Sequence, residues 1–252
     1  MKKHSIVLGL LLGLFIQPTI AQKKQTTKTP AAKTVAVTNS IPNDPDVIIG
    51  KLPNGLTYYI RKNTEPNKRA ELYLGNKIGS LMENDEQLGL AHFTEHMAFN
   101  GTKDFPKNEM INYLQKAGVR FGADLNAYTG FNQTVYQLPI PTDSIEVFKT
   151  GFKILANWAG KVSMNGADID NERGVIVEED RQRGKNAQQR MSNQLLPLLL
   201  DNSRYAERIP IGKVEILNTT PTECLTYKFF YYNHLISQGA TQQQASAGAS
   251  SV

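Results

Sequence analysis

Leu88-Gly89-Leu90-Ala91-His92-Phe93-Thr94-Glu95-His96-Met97-Ala98-Phe99-Asn100-Gly101 is the stretch on which the reading of this chain turns. Apolar residues at 88, 90, 91, 93, 97 and 98 follow the helical period, and Asn100-Gly101 stands where a helix ends, so a helix is expected over residues 86–99. On it His92 and His96 lie one turn apart on one face, with Glu95 on the same side. Two imidazoles so placed can converge on one metal ion, and a carboxylate beside them can take a proton from water at that ion. Spacing alone leaves a second reading open, an amphipathic helix that carries two histidines and no metal.

A catalytic zinc needs a third protein ligand and keeps its fourth position for water. The best candidate lies in Asn171-Glu172-Arg173-Gly174-Val175-Ile176-Val177-Glu178-Glu179, where Glu172 and Glu179 are seven residues apart and share a helix face. Glu178 points about 100° away from Glu179. Acidic runs of this kind are usually solvated helix surface, and spacing does not decide between the two.

Outward from these segments the period changes. Residues 47–51 and 56–61 flank Pro53-Asn54-Gly55 as a hairpin, and 70–78 reads as another strand. Pro106 and Ala117-Gly118 bracket a second helix. Residues 125–129 and 134–140 form a further hairpin, expected to stop at Pro139 and Pro141. Helices follow from a cap at Thr142 or Asp143, over 168–183 and over 187–200. Strands precede helices and are joined as hairpins, so the expected class is α+β with a largely antiparallel sheet flanked by helices.

With 40% hydrophobic and 20% charged residues, the 252-residue chain has ordinary globular composition, which excludes a collagen-like or wholly disordered protein. The formal charge of +5 resides in the leader: six of the 28 basic residues lie before position 41, where there is no acidic residue, and the 22 that remain face 23 acidic ones. A nucleic-acid partner is therefore not expected. Residues 1–21 read as a secretory signal peptide, with Lys2 and Lys3 before an apolar run and Thr19-Ile20-Ala21 at the cleavage point. That run is shorter than the roughly 20 residues a membrane-spanning helix needs, and no stable membrane span is expected. Residues 22–45 read as a flexible linker, and 233–252 as a low-complexity tail of Gln, Ala, Ser and Gly. The single Cys224 allows no internal disulfide and reads as a small buried hydrophobe.

Leu88 to Thr102 resembles the core motif of the insulinase/pitrilysin metallopeptidases, which include the mitochondrial processing peptidase and carry the inverted His-x-x-Glu-His order. Three further stretches agree in order: residues 56–61, Leu125-Asn126-Ala127-Tyr128-Thr129 with Thr134-Val135-Tyr136, and residues 172–179. The resemblance covers about 46–232. It implies a mitochondrial-processing-peptidase-like metallohydrolase domain with one Zn²⁺ held by His92, His96 and Glu179. By the same resemblance Glu95 is the general base, Glu172 a supporting carboxylate that orients a histidine, and Asn126 and Ala127 part of a strand that pairs with an extended peptide substrate.

Members of this family close two related halves around the substrate, so a second peptidase half or a partner subunit is implied. Pro221 to Tyr232 resembles the family's last helix before a closing strand that the text does not continue into, and the domain is expected to be incomplete at its C-terminus. Two functions are thus expected in competition: an exported bacterial zinc endopeptidase, periplasmic or secreted, acting on peptides or small unfolded proteins, and a non-catalytic metal- or peptide-binding remnant. Zinc-dependent peptide cleavage discriminates between them.

Overall fold

The computed structural model describes residues 43–201 and 203–222. The signal peptide, nearly all of the linker, Cys224, most of the expected last helix and the tail lie outside these residues. No helix among the described residues is long and apolar enough to cross a membrane.

The class is α+β, as expected, and among the described residues the strands pair antiparallel, divided between two sheets. Strands β1 (Val47–Lys51) and β2 (Thr57–Arg61) form the first hairpin, turned by Gly55 at φ 90°. Its residues Ile48, Tyr59 and Ile60 are more than half exposed. Strands β3 (Arg69–Asn76), β4 (Asn126–Thr129) and β5 (Thr134–Pro141) form the second sheet in the order β3-β5-β4. Leu72 lies opposite Leu138 and Ala70 opposite Ile140.

Strand β5, the second strand of the hairpin expected over 125–140, runs through Pro139 and ends at Pro141 instead of stopping before them. The reason is positional. Thr142 N–H donates to Lys68 C=O, which puts the N–H groups of even-numbered residues on the β3 side, while β4 pairs only as far as Gln137. Both prolines therefore face the stretch of edge that β4 has already left, where a missing donor costs no ladder bond.

Helix α1 (Leu90–Asn100) begins four residues later than the periodicity predicts. Residues 85–87 make a separate tight turn, and Gly89 at φ 99° redirects the chain. Space is tight there as well, because Gly212 crosses: a Cβ on Gly89 would meet Ile211 O at 3.1 Å and Gly212 Cα at 3.2 Å, and a Cβ on Gly212 would stand 2.1 Å from Gly89 Cα. The free N–H groups at the start of α1 are met by the buried Glu83, whose carboxylate accepts from Gly89 N–H at 3.0 Å and Ala91 N–H at 2.8 Å. Burial pushes this carboxyl up to about 7 against the pull of those amides and of Arg208. The Glu83 carbonyl in turn accepts from Arg204 at 2.8 Å and Arg208 at 2.9 Å, pinning the approach to α1 from a distant part of the chain.

Helices α2 (Glu109–Lys116), α3 (Ile145–Gly160), α4 (Gly166–Gly184) and α5 (Ala187–Leu199) match the expected helices in number and order. The cap of α3 is Ser144, accepting from Val147 N–H at 3.4 Å, in place of Thr142 or Asp143. Two short helices were not foreseen, α6 (Arg204–Glu207) and α7 (Val214–Thr219), each too short for a periodic signal. The core gathers Phe93, Met97 and Ala98 of α1, Met110 and Leu114 of α2, Leu138 and Ile140 of β5, and Ile154 and Trp158 of α3. Trp158 Nε1–H donates to Ala98 C=O at 3.1 Å, so the sheet-bound α3 also holds the end of α1.

Candidate metal centre

Ile169 and Ile176, seven residues apart and fully buried, anchor one stripe of α4 in the core. Glu172 and Glu179 each follow three residues later, on the flank that packs against α1. The two helices therefore bring together residues that are local in sequence on one side and more than seventy positions away on the other.

Three donor atoms converge. His92 Nε2 and His96 Nε2 are 3.3 Å apart, His96 Nε2 and Glu179 Oε2 3.2 Å, and His92 Nε2 and Glu179 Oε2 3.5 Å. Atoms ligating a tetrahedral zinc at about 2.0–2.1 Å lie about 3.3–3.4 Å from one another, and the three distances bracket that value. Glu179 Oε2 is buried and, apart from its approach to the two imidazole nitrogens, has no hydrogen-bond partner among the described residues. Two imidazole nitrogens and a carboxylate oxygen are a donor set suited to zinc, and His92, His96 and Glu179 could hold a metal ion.

The surrounding groups fix this triangle. Glu172 Oε1 meets His96 Nδ1 at 2.8 Å, which leaves Nε2 to face the site, and Asn100 Nδ2 donates to Glu172 Oε2 at 2.5 Å. Arg183 donates to Glu179 Oε1. Glu178 lies elsewhere, bound to Arg181 and Gln182 on the exposed side of α4. Glu95 is buried, and Thr129 Oγ1 of β4 donates to its Oε2 at 2.6 Å. Asn126 and Ala127 sit on β4, which packs against α1 and pairs with β5 alone among the described residues. Asn126 is exposed, and its Oδ1 accepts from Ala127 N–H at 2.9 Å.

Asn100, Thr129 and Arg183 were not singled out from the sequence. Asn100 continues the 92, 96, 100 spacing along one helix face, and Arg183 is four residues beyond Glu179, so both left a readable signal. Thr129 left none, because only the docking of β4 on α1 brings it to Glu95.

The electrostatics follow from this packing. Burial and the charge on His96 push His92 down to about 4. Burial alone would lower His96 too, but its hydrogen bonds to Glu172 and Glu179 outweigh that and carry it up to about 9. The hydrogen bond to His96 is the main cause that holds Glu179 down at about 2. Glu172 is pushed up by burial and held below the usual range by His96 and Asn100. Desolvation raises Glu95 above the ordinary carboxylate value, against the pull of Thr129 and His96.

The sequence profile of the insulinase family, peptidase family M16, matches residues 58–209. The chain belongs to peptidase family M16. Among other M16 proteins it is 41% identical over 181 residues to the probable zinc protease PqqL of Haemophilus influenzae, covering 72% of this chain and 19% of that protein. It is 40% identical over 185 residues to the probable zinc protease PqqL of Escherichia coli, covering 73% and 20%. The crystal structure of the first half of the periplasmic protease PqqL from Escherichia coli superposes with a TM-score of 0.73 at 39% identity, covering 77% of this chain and 41% of that one. The chain thus spans about a fifth of the length of the curated M16 relatives it matches.

A metal ion held by this triangle would need the His96 Nε2 lone pair, so zinc and a proton would compete there. Because His96 is raised from 6.5 to about 9, its proton stabilises the metal-free fold fully below pH 6.5, and that contribution is lost as pH rises through 9. His92, at about 4, is already neutral over this range. Zinc binding at pH 7.5 should therefore release close to one proton per ion, measured by titration calorimetry in buffers of different ionisation enthalpy. Apparent affinity should climb about tenfold per pH unit and level off above pH 9.

Proposed function

We propose that this chain forms the catalytic domain of an exported zinc endopeptidase that hydrolyses extended peptides or small unfolded proteins. The observation that carries this is the convergence of His92 Nε2 and His96 Nε2 of α1 with Glu179 Oε2 of α4, within 3.5 Å of one another, beside the buried Glu95 of α1. His92, His96 and Glu179 would hold one zinc ion, with Glu172 keeping His96 turned toward it. Bound zinc supplies Lewis acidity, polarising the scissile carbonyl and making a neighbouring water more acidic. Glu95 takes a proton from the attacking water and returns it to the leaving amine, a task to which a carboxyl raised by burial is suited.

Substrate binding is proposed for β4. Its outer edge carries the Ala127 N–H, which Asn126 Oδ1 occupies now and an extended peptide backbone would take over. Main-chain pairing of this kind favours extended substrates with loose sequence preference. Enclosure of the peptide is assigned to a second peptidase half or a partner subunit, in keeping with the relative whose structure is of a first half. The leader at residues 1–21 and the periplasmic relative in Escherichia coli support a periplasmic or secreted location.

The test is incubation of the purified protein, loaded with one equivalent of zinc, with a quenched fluorescent peptide that has no structure of its own. Cleavage should appear, stop on addition of a chelator and return with zinc. Intact peptide after prolonged incubation with zinc bound at one per chain would make the domain a metal-binding module and sink the peptidase reading.

A further inference from the structure

Glu95 has a single hydrogen-bonding tether among the described residues, and it comes from the sheet. Thr129, the last residue of β4, reaches Glu95 Oε2 with its hydroxyl at 2.6 Å. Directly across the sheet, Thr134 Oγ1 donates to Ile78 C=O at 2.9 Å and stands 3.4 Å from Thr129 Oγ1. Each hydroxyl has one proton to give. With the Thr134 proton committed to Ile78, the Thr129 proton goes to the carboxylate, and the Thr134 hydroxyl is a fixed neighbour that limits how the Thr129 side chain turns.

We propose that Thr129 is a positioning residue for Glu95, holding Oε2 so that Oε1 is the oxygen that receives and releases the proton. An unrestrained glutamate samples several rotamers, whereas a base must meet the water proton at one distance and angle. With Oε2 engaged by Thr129, a water O–H bond breaks as Oε1–H forms. The water oxygen bonds to the scissile carbonyl carbon, the Oε1–H bond then breaks as the proton passes to the amide nitrogen, the C–N bond breaks to release the amine, and the carboxylate returns to its starting charge. Thr129 keeps donating to Oε2 throughout and exchanges no proton itself. Because it ends the strand whose other residues would take the substrate backbone, it fixes the base relative to the bound peptide. The reaction in this inference rests on the peptidase reading; the placement of the carboxylate does not.

Two substitutions separate hydroxyl from shape. Thr129→Val keeps the branched outline that suits a strand and removes the donor, and Thr129→Ser keeps the donor. In the zinc-loaded enzyme Thr129→Val should lower kcat about 10- to 100-fold, with KM and zinc content unchanged, and Thr129→Ser should stay within about threefold of the parent. Thr129→Ala should repeat the Val result and serves in its place if Val fails to fold. Crystal structures of the zinc-loaded parent and of Thr129→Val supply a readout apart from activity: Glu95 in one position on Thr129 in the parent, and displaced or in several rotamers in the variant. Unchanged kcat in Thr129→Val, an equal loss in Thr129→Ser, or an unmoved Glu95 carboxylate in the variant crystals would overturn the proposal. If the parent cleaves no peptide, the peptidase reading fails and the crystals still decide the role of Thr129.

Discussion

Glu95→Gln should remove between about 10² and 10⁴ of the peptide-cleaving rate and leave zinc bound at one per chain. The amide is nearly the same shape as the carboxylate, and its carbonyl oxygen can still accept the Thr129 hydroxyl, so the packing of α1 against β4 has no reason to change. What disappears is the ability to take a proton. His92, His96, Glu179 and Glu172 are untouched, so the metal site stays intact, and zinc content measured by elemental analysis is the control that separates lost chemistry from lost metal. A second control comes from stability. Burial raises the Glu95 carboxyl, so its ionisation opposes folding once the pH exceeds its ordinary value, and a neutral Gln relieves that cost. The variant should therefore unfold no earlier than the parent in a thermal melt at pH 7. Cleavage within tenfold of the parent, with zinc bound, would mean that some other group acts as the base.

How much of this was legible beforehand depends on how local each relation is. His92, Glu95 and His96 were readable because a helix fixes their relative directions within one turn, whatever the rest of the chain does. The α+β class was readable for the same reason, from changes of period along the text. Where local signals failed, a distant segment decided. The start of α1 was placed too early because the helical pattern runs back through Leu88, while the actual entry is set by Gly89 meeting Gly212 and by Glu83. Pro139 and Pro141 looked like stops because the text does not say that β4 ends its pairing at Gln137. Thr129 appeared as one more strand residue, since its partner is on another element. The acidic pair on α4 lies between these cases: its seven-residue spacing was visible, but its role depended on which flank of α4 meets α1, and the buried Ile169 and Ile176 decide that.

The same flank underlies the largest expected difference between neighbouring residues in the chain. Glu179→Gln should lower zinc affinity by more than about 100-fold, Glu172→Gln by about 10- to 100-fold, and Glu178→Gln hardly at all. Glu179 supplies one of the three converging atoms, and its charge also neutralises Arg183, which would otherwise stand unpaired beside a divalent cation. Losing it removes a ligand and adds a repulsion, so the effect must exceed that of an outer-sphere partner. Glu172 acts through His96 Nδ1 and through Asn100, and without its charge His96 is a weaker donor that is less firmly turned. Glu178 pairs with Arg181 on the solvent side, where such a pair is worth little. Competition for zinc against a chromophoric chelator at fixed pH reads all three variants on one scale. Equal losses in Glu178→Gln and Glu179→Gln would show that only the overall acidity of α4 matters. A graded series ending at Glu178 would show that zinc responds to the rotation of a single helix, one residue and about 100° at a time.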